Sequence, residues 1–195
     1  IPNDLHEDFK DYERFLRLWT FPPQCSFQLT HEGLHFTNAH FPIMTTHLAL
    51  LRNYEFKFRA KIVSGHVGWI VKWTRPFNNY LPTFCVMFNI NRNGKLRPHI
   101  LNINRPNQES HYQLFDIHDV DLHPESSNSE WYLITTIVNG SKITISNNDR
   151  TIFEHDFSES PYKEYFEFQD KQGEVGFRCY PGEQAIINYI NVKEI

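Results

Sequence analysis

Only three cysteines stand among the 195 residues: Cys25, Cys85 and Cys179. They are far apart and odd in number, so they build no disulfide framework. With no C-x-x-C pair they supply neither a zinc nor a redox motif. They read as buried free thiols in a reducing, cytoplasmic compartment, with one disulfide and one free thiol as the alternative. Basic charge is also short. Lysine and arginine total 19 against 23 acidic residues, a formal charge of −4. That balance excludes general nucleic-acid binding through a basic surface. No apolar run approaches the roughly 20 residues that cross a bilayer, so no membrane partner is expected. No basic-then-apolar leader opens the chain, and this form is expected to carry no signal peptide. Internal repeats and low-complexity segments are lacking. So are a Gly-x-Ser-x-Gly elbow and a phosphate-cradling glycine loop.

Aromatic residues are what the chain has in quantity. They make up 15% of it, and phenylalanine alone supplies 17. Flat rings suit a pleated, half-buried surface. The length suits one β-rich domain, residues 1–195, with a core that needs no staples.

The alternation bears this out along the chain. In 53–63, Tyr54, Phe56, Phe58, Ala60 and Ile62 face one way, and Glu55, Lys57, Arg59 and Lys61 the other. That is the period of an antiparallel strand with a wet outer face. In 67–73, Val67, Trp69, Val71 and Trp73 share one parity, and Gly68, Ile70 and Lys72 the other. The stretch 84–90 is nearly all apolar, so both of its faces are expected to be covered. In 96–103, Arg97, His99 and Leu101 share a side. In 173–180, Val175, Phe177 and Cys179 alternate with Glu174, Gly176, Arg178 and Tyr180. Further strands are expected within 26–37, turning on Gly33, and at 151–157 and 185–192. Asn91-Arg92-Asn93-Gly94 and Asn139-Gly140 read as tight turns. The second also fits a glycosylation sequon with Ser141, which the turn explains better. Residues 4–19 carry Leu5, Phe9, Tyr12, Leu16 and Trp19 near helical spacing and predict a lead-in helix within 1–22. The long polar segment 105–128 reads as a functional loop or a short edge strand. The whole predicts an all-β sandwich.

The order of these pieces resembles the concanavalin A-like lectin/glucanase jelly rolls. It is most similar to the branch of 3-keto-disaccharide hydrolase-type (DUF1080-like) domains and fructan-type carbohydrate-binding modules. The motifs are Glu32-Gly33-Leu34, Tyr54-Glu55-Phe56, Gly68-Trp69-Ile70-Val71-Lys72, Glu130-Trp131, Gly173-Glu174-Val175-Gly176-Phe177-Arg178 and Asn188-Tyr189-Ile190-Asn191-Val192. The resemblance spans 19–195 and implies a two-sheet antiparallel jelly-roll sandwich with a short N-terminal helix. It also implies a concave sheet face that holds a saccharide. Parity then names that face: Lys72, Asn89, Arg97, His99, Arg178 and Tyr180, with Trp73, Tyr80 and Tyr112 at the rim.

Sugar recognition needs flat apolar faces for ring C–H groups and a few convergent polar groups for hydroxyls. Convergence of Lys72, Arg97 and Arg178 would suit an anionic ligand (an acidic glycan, a phosphorylated sugar or a nucleotide), since arginine matches carboxylate and phosphate in two-pronged geometry. The alternative is solvated charges on an outer strand. Glycoside hydrolysis wants two carboxylates roughly 5–9.5 Å apart. The Glu-x-Asp-x-x-Glu run of the glucanase branch is missing. Glu167-Phe168-Gln169-Asp170 has the wrong spacing, and Glu174 is alone on its strand. His118 and His123, with Asp116, Asp119 and Asp121, form a loop that either holds calcium or is simply solvated; no other cofactor is implied. The expectation is therefore a non-catalytic carbohydrate-binding module, one unit of a larger protein. A hydrolase of the keto-disaccharide type and a protein-interaction sandwich are the alternatives. Paired carboxylates in a cleft would favour the hydrolase, exposed rings beside the cations sugar binding, and a covered face the interaction role.

Overall fold

A computed structural model of the chain describes residues 4–20, 25–45, 51–74, 83–103, 112–166 and 173–195. Every strand pairing among these residues is antiparallel, and the strands form two packed layers. The first sheet joins β3 (Ser26–Thr30), the start of β4 (Gly33–Thr45), β15 (Gln184–Glu194), β5 (Tyr54–Ser64), β11 (Trp131–Asn139), β12 (Lys142–Asn147) and β13 (Arg150–Asp156). The second joins β10 (His118–Asp119), β8 (Lys95–Asn102), β7 (Phe84–Asn91), β6 (His66–Thr74), β14 (Glu174–Cys179) and the end of β4, with β9 (Tyr112–Leu114) also on β8. β4 passes from one sheet to the other. Residues 34–36 pair with β15, and 39–44 pair with β14.

The alternation in β5 comes out as its period requires. Tyr54, Phe56, Phe58, Ala60 and Ile62 are buried, and the charged residues between them are half-buried. Those charges pair on the outer face: Arg59 with Glu125 at 2.6 Å, and Lys61 with Glu130 at 2.9 Å. Such solvent-screened pairs add little to stability. The core between the sheets is a set of interlocked rings. Phe177 from β14 meets Phe58 edge-on at 5.1 Å and Phe56 at 5.6 Å. Trp69 stacks on Phe88 at 5.5 Å. Its indole N–H donates across the layers to Thr136 Oγ1 at 3.0 Å. Each such buried ring stabilises the fold by about 1.5–3 kcal/mol through water exclusion.

The N-terminal segment departs from the predicted helix. Leu5–Glu7 is a strand, β1, on β15, and the helix α1 is confined to Tyr12–Leu18, followed by β2 (Trp19–Thr20) on β4. The edge of β15 offers backbone partners to Leu5–Glu7, and this outweighs helix propensity. The chain then turns at Phe9, whose φ is +60°. Asp11 starts the helix afresh, its carboxylate accepting from the Arg14 N–H at 2.9 Å. The segment 105–128 does carry short edge strands, β9 and β10.

Candidate functional site

The outward face of the second sheet collects most of the residues that parity names. In the strand register Arg178 of β14 lies opposite Gly68 of β6, Gly68 opposite Asn89 of β7, and Asn89 opposite Arg97 of β8. These four residues form one row across four strands. The next row runs Gly176, Ile70, Met87, His99 and Leu114. Gly68 is required in the first row. A Cβ there would stand 2.5 Å from the Arg178 carbonyl oxygen, far inside contact distance. The bare backbone lets β6 and β14 close up and leaves a dip between the two side chains that flank it.

A small cavity fills that dip. It is lined by Asn89, His99, Tyr112, Arg178, Tyr180 and Glu183, with Gly68, Trp69, Met87 and Phe88 as its floor. It holds about 20 Å3, room for one water or one ligand oxygen and far below the ~300 Å3 of ordinary ligand pockets. The Arg178 guanidinium lies 4.3 Å from the centroid of the Tyr180 ring, and its Nη1 donates to Met87 Sδ at 3.5 Å. The hydroxyls of Tyr180 and Tyr112 meet at 3.2 Å. Burial, then the hydrogen bond to Tyr180, holds Tyr112 well above the usual phenol range, so it stays protonated. His99 is 4% exposed. Burial first, and then the positive charge of Arg178, lower its pKa to about 4, so it is a neutral imidazole near pH 7.

Three nitrogens on this face are buried without a hydrogen-bond partner: Arg97 Nε, His99 Nδ1 and Arg178 Nε. Buried polar groups in folded proteins are nearly always paired, and an orphan costs about 1–3 kcal/mol. All three lie on one sheet face, and two of them, His99 and Arg178, belong to residues that line the cavity.

Asn89, Arg97, His99, Arg178, Tyr180 and Tyr112 thus come together. Lys72 and Trp73 do not take the positions that simple alternation gives them. The register between β6 and β7 slips after Val71, and Lys72 adopts φ +53°. This bulge inverts the parity. Lys72 turns inward, 2% exposed, with its Nζ 6.0 Å from the Phe166 ring centroid. Its backbone N–H donates to Tyr54 Oη at 2.9 Å. Trp73 moves to the outward face but is buried there against Ile70, Cys85 and Met87; it is not among the residues that line the cavity and is not a rim residue. Two of the three cations therefore share the face. Tyr80 and the 167–170 carboxylates lie outside the described residues.

Sequence reasoning missed Glu183. It follows the Pro181-Gly182 turn, where a glutamate reads as solvated. In the structure its Oε2 accepts from the Tyr180 N–H and its Oε1 lies 2.9 Å from His66 Nδ1. No local sequence signal pointed to it, because only the pairing of β14 with β6 brings this turn beside the start of β6. In the His/Asp loop Asp121 lies 2.7 Å from His123 Nε2 and 2.8 Å from Arg150 Nη1, and Asp119 meets Lys95. No group of three His, Cys, Asp or Glu side chains among the described residues is arranged to hold a metal. The three cysteines are free thiols.

The chain is a concanavalin A-like jelly-roll sandwich with an arginine- and tyrosine-lined seat on its second sheet. Solved structures similar to it include a Bacillus subtilis protein of unknown function with a galectin-like fold. There the TM-score is 0.64 at 10% identity, over 97% of this chain and 94% of that one. The carbohydrate-binding module CBM66 from Bacillus subtilis gives 0.60 at 12% identity, over 90% and 95%. The Bacteroides ovatus mixed-linkage glucan GH16 protein, in complex with a G4G4G3G product, gives 0.58 at 8%, over 97% and 99%. Identities this low carry the fold alone. The comparisons do not show the finer resemblance to the 3-keto-disaccharide hydrolase branch. The sequence matches no protein-family model and no curated protein.

Proposed function

We propose that the chain is a non-catalytic carbohydrate-binding module that recognises an anionic saccharide on the outward face of its second sheet. The observation that carries this is the set of buried, unpartnered nitrogens of Arg97, His99 and Arg178. Two of them belong to guanidiniums, which favour carboxylate, sulfate or phosphate over a neutral hydroxyl. The cavity beside them admits one oxygen. An acidic group would set that oxygen between Arg178, Asn89 and His99. The sugar ring would then lie above, against the Tyr180 and Tyr112 side chains, where C–H groups meet aromatic faces.

The charge pattern supports binding over hydrolysis. Glycoside hydrolysis needs a pair of carboxylates. Among the described lining residues Glu183 is the one carboxylate, and it is engaged by the Tyr180 N–H and by His66. The likeness of fold to a carbohydrate-binding module, over 95% of that module's length, suits a binding role.

A glycan array carrying uronic-acid, sulfated and phosphorylated sugars, probed with the chain and with Arg178→Ala, tests the reading. Binding to acidic glycans that the variant loses is expected. A folded sample that binds no glycan would sink it. Incubation with the bound glycan should release no product by mass spectrometry, and release would move the assignment to a hydrolase.

A further inference from the structure

A wider cleft opens away from that face, at one edge of the sandwich. It lies between the β9–β10 edge of the second sheet and β13 with the turns that follow it. Its volume is about 470 Å3, within the ~300–1,000 Å3 of ligand pockets. One wall is aromatic. Phe115 meets Tyr162 at 4.3 Å and Tyr165 at 5.4 Å, edge to face in both pairs. The His155 ring lies 4.4 Å from Tyr162. Tyr162 is 2% exposed, with its hydroxyl 3.3 Å from His118 Nε2. Among the described lining residues, Asp116 and Glu164 are exposed carboxylates and none is a lysine or arginine. Burial, with the nearby charge of Asp116, raises the Tyr162 pKa to about 12, so that charge reaches the aromatic wall. His155 Nε2, on the same cleft, is buried and has no hydrogen-bond partner among the described residues.

We propose that this cleft is a second binding site, for a small protonated amine. The ammonium pairs with Asp116 and Glu164, and the body of the ligand packs on Phe115, Tyr162 and Tyr165. Carboxylates give a cation charge-assisted hydrogen bonds, and ring faces attract it through their quadrupoles. With one sign of charge among the described lining residues, a cation is favoured over an anion. His155 Nε2 adds one hydrogen-bonding atom. The site is opposite in sign to the arginine-lined seat and does not depend on the saccharide reading.

The test is an NMR titration of the full chain, at pH 7 and fixed salt, with cyclohexylamine, glucosamine and the uncharged N-acetylglucosamine. Either amine should saturate, with shifts confined to the cleft, and N-acetylglucosamine should not. Saturation by glucosamine alone assigns an amino sugar; saturation by both amines assigns the ammonium on any compact body. Asp116→Asn and Glu164→Gln sit on exposed side chains and leave folding intact. Each should weaken amine binding roughly fivefold, and Arg178→Ala should leave it unchanged. Equal binding of all three probes, no saturation by either amine, or a double Asp116→Asn/Glu164→Gln variant that binds as the parent does would overturn the proposal.

Discussion

The guanidinium of Arg178 lies over the ring of Tyr180, two residues further along and just past the end of β14, at 4.3 Å. Such a contact contributes about 0.5–2 kcal/mol and fixes the plane of the donor fork. Lysine keeps the charge but has neither the fork nor the flat stacking face. Arg178→Lys should therefore lower affinity for the acidic glycan that the array identifies by about tenfold or more. Isothermal titration at fixed ionic strength measures this, because screening changes both values. A lysine variant that binds like the parent would show that charge alone is read.

Trp69 and Thr136 join the two sheets through a buried hydrogen bond of 3.0 Å. Thr136→Val keeps the shape and orphans the indole N–H. The expected loss is about 1–3 kcal/mol in urea unfolding. Thr136→Ser restores the acceptor and should recover most of it. Equal losses in the two variants would mean that packing, and not the hydrogen bond, is being measured.

Gly68 and Gly140 separate two reasons for glycine. A Cβ on Gly68 would meet the Arg178 carbonyl at 2.5 Å, whereas one on Gly140 meets nothing within 4 Å but sits at φ +58°. Gly140→Ala should cost about 1 kcal/mol through backbone conformation alone. Gly68→Ala should cost about 1–3 kcal/mol through overpacking. It should also weaken glycan binding, because it parts β6 from β14 at the seat, whereas Gly140→Ala should not.

His99 makes stability depend on pH in a defined direction. Its folded pKa of about 4 lies below the ordinary histidine value of 6.5. Between those values the unfolded chain binds more protons, so stability falls as pH falls. The contribution is present in full above pH ~6.5 and is lost towards pH ~4, and it amounts to about 3 kcal/mol. Denaturant unfolding of the parent and of His99→Asn from pH 4 to 7 checks this. The parent should lose more stability than the variant across that window. Parallel curves would show that His99 does not titrate as its burial requires.

Much of the fold was legible because strand alternation is a local property. Tyr54 to Ile62 in β5, and Val175, Phe177 and Cys179 in β14, are buried as their period dictates. The hairpin expected at Asn139-Gly140 does join β11 to β12, shifted by one residue: Asn139 pairs with Lys142, and Gly140 and Ser141 form the loop. The same periodicity placed Asn89, Arg97, His99 and Arg178 on one outward face.

What alternation leaves open is which strands become neighbours and where a ladder slips. A single extra residue after Val71 turned Lys72 inward and Trp73 outward, because each bulge shifts every later side chain to the other face. The strand at Leu5–Glu7 exists because the β15 edge lies there to pair with it, a partner more than 180 residues away. Tyr112 reaches Tyr180 only through the β8–β9 pairing, and the edge cleft only through the approach of two sheet edges. Sequence by itself determined the layers, the faces and the chemistry on them. Tertiary structure decided which of those groups meet, because meeting depends on long-range pairing energies that no short stretch of chain contains.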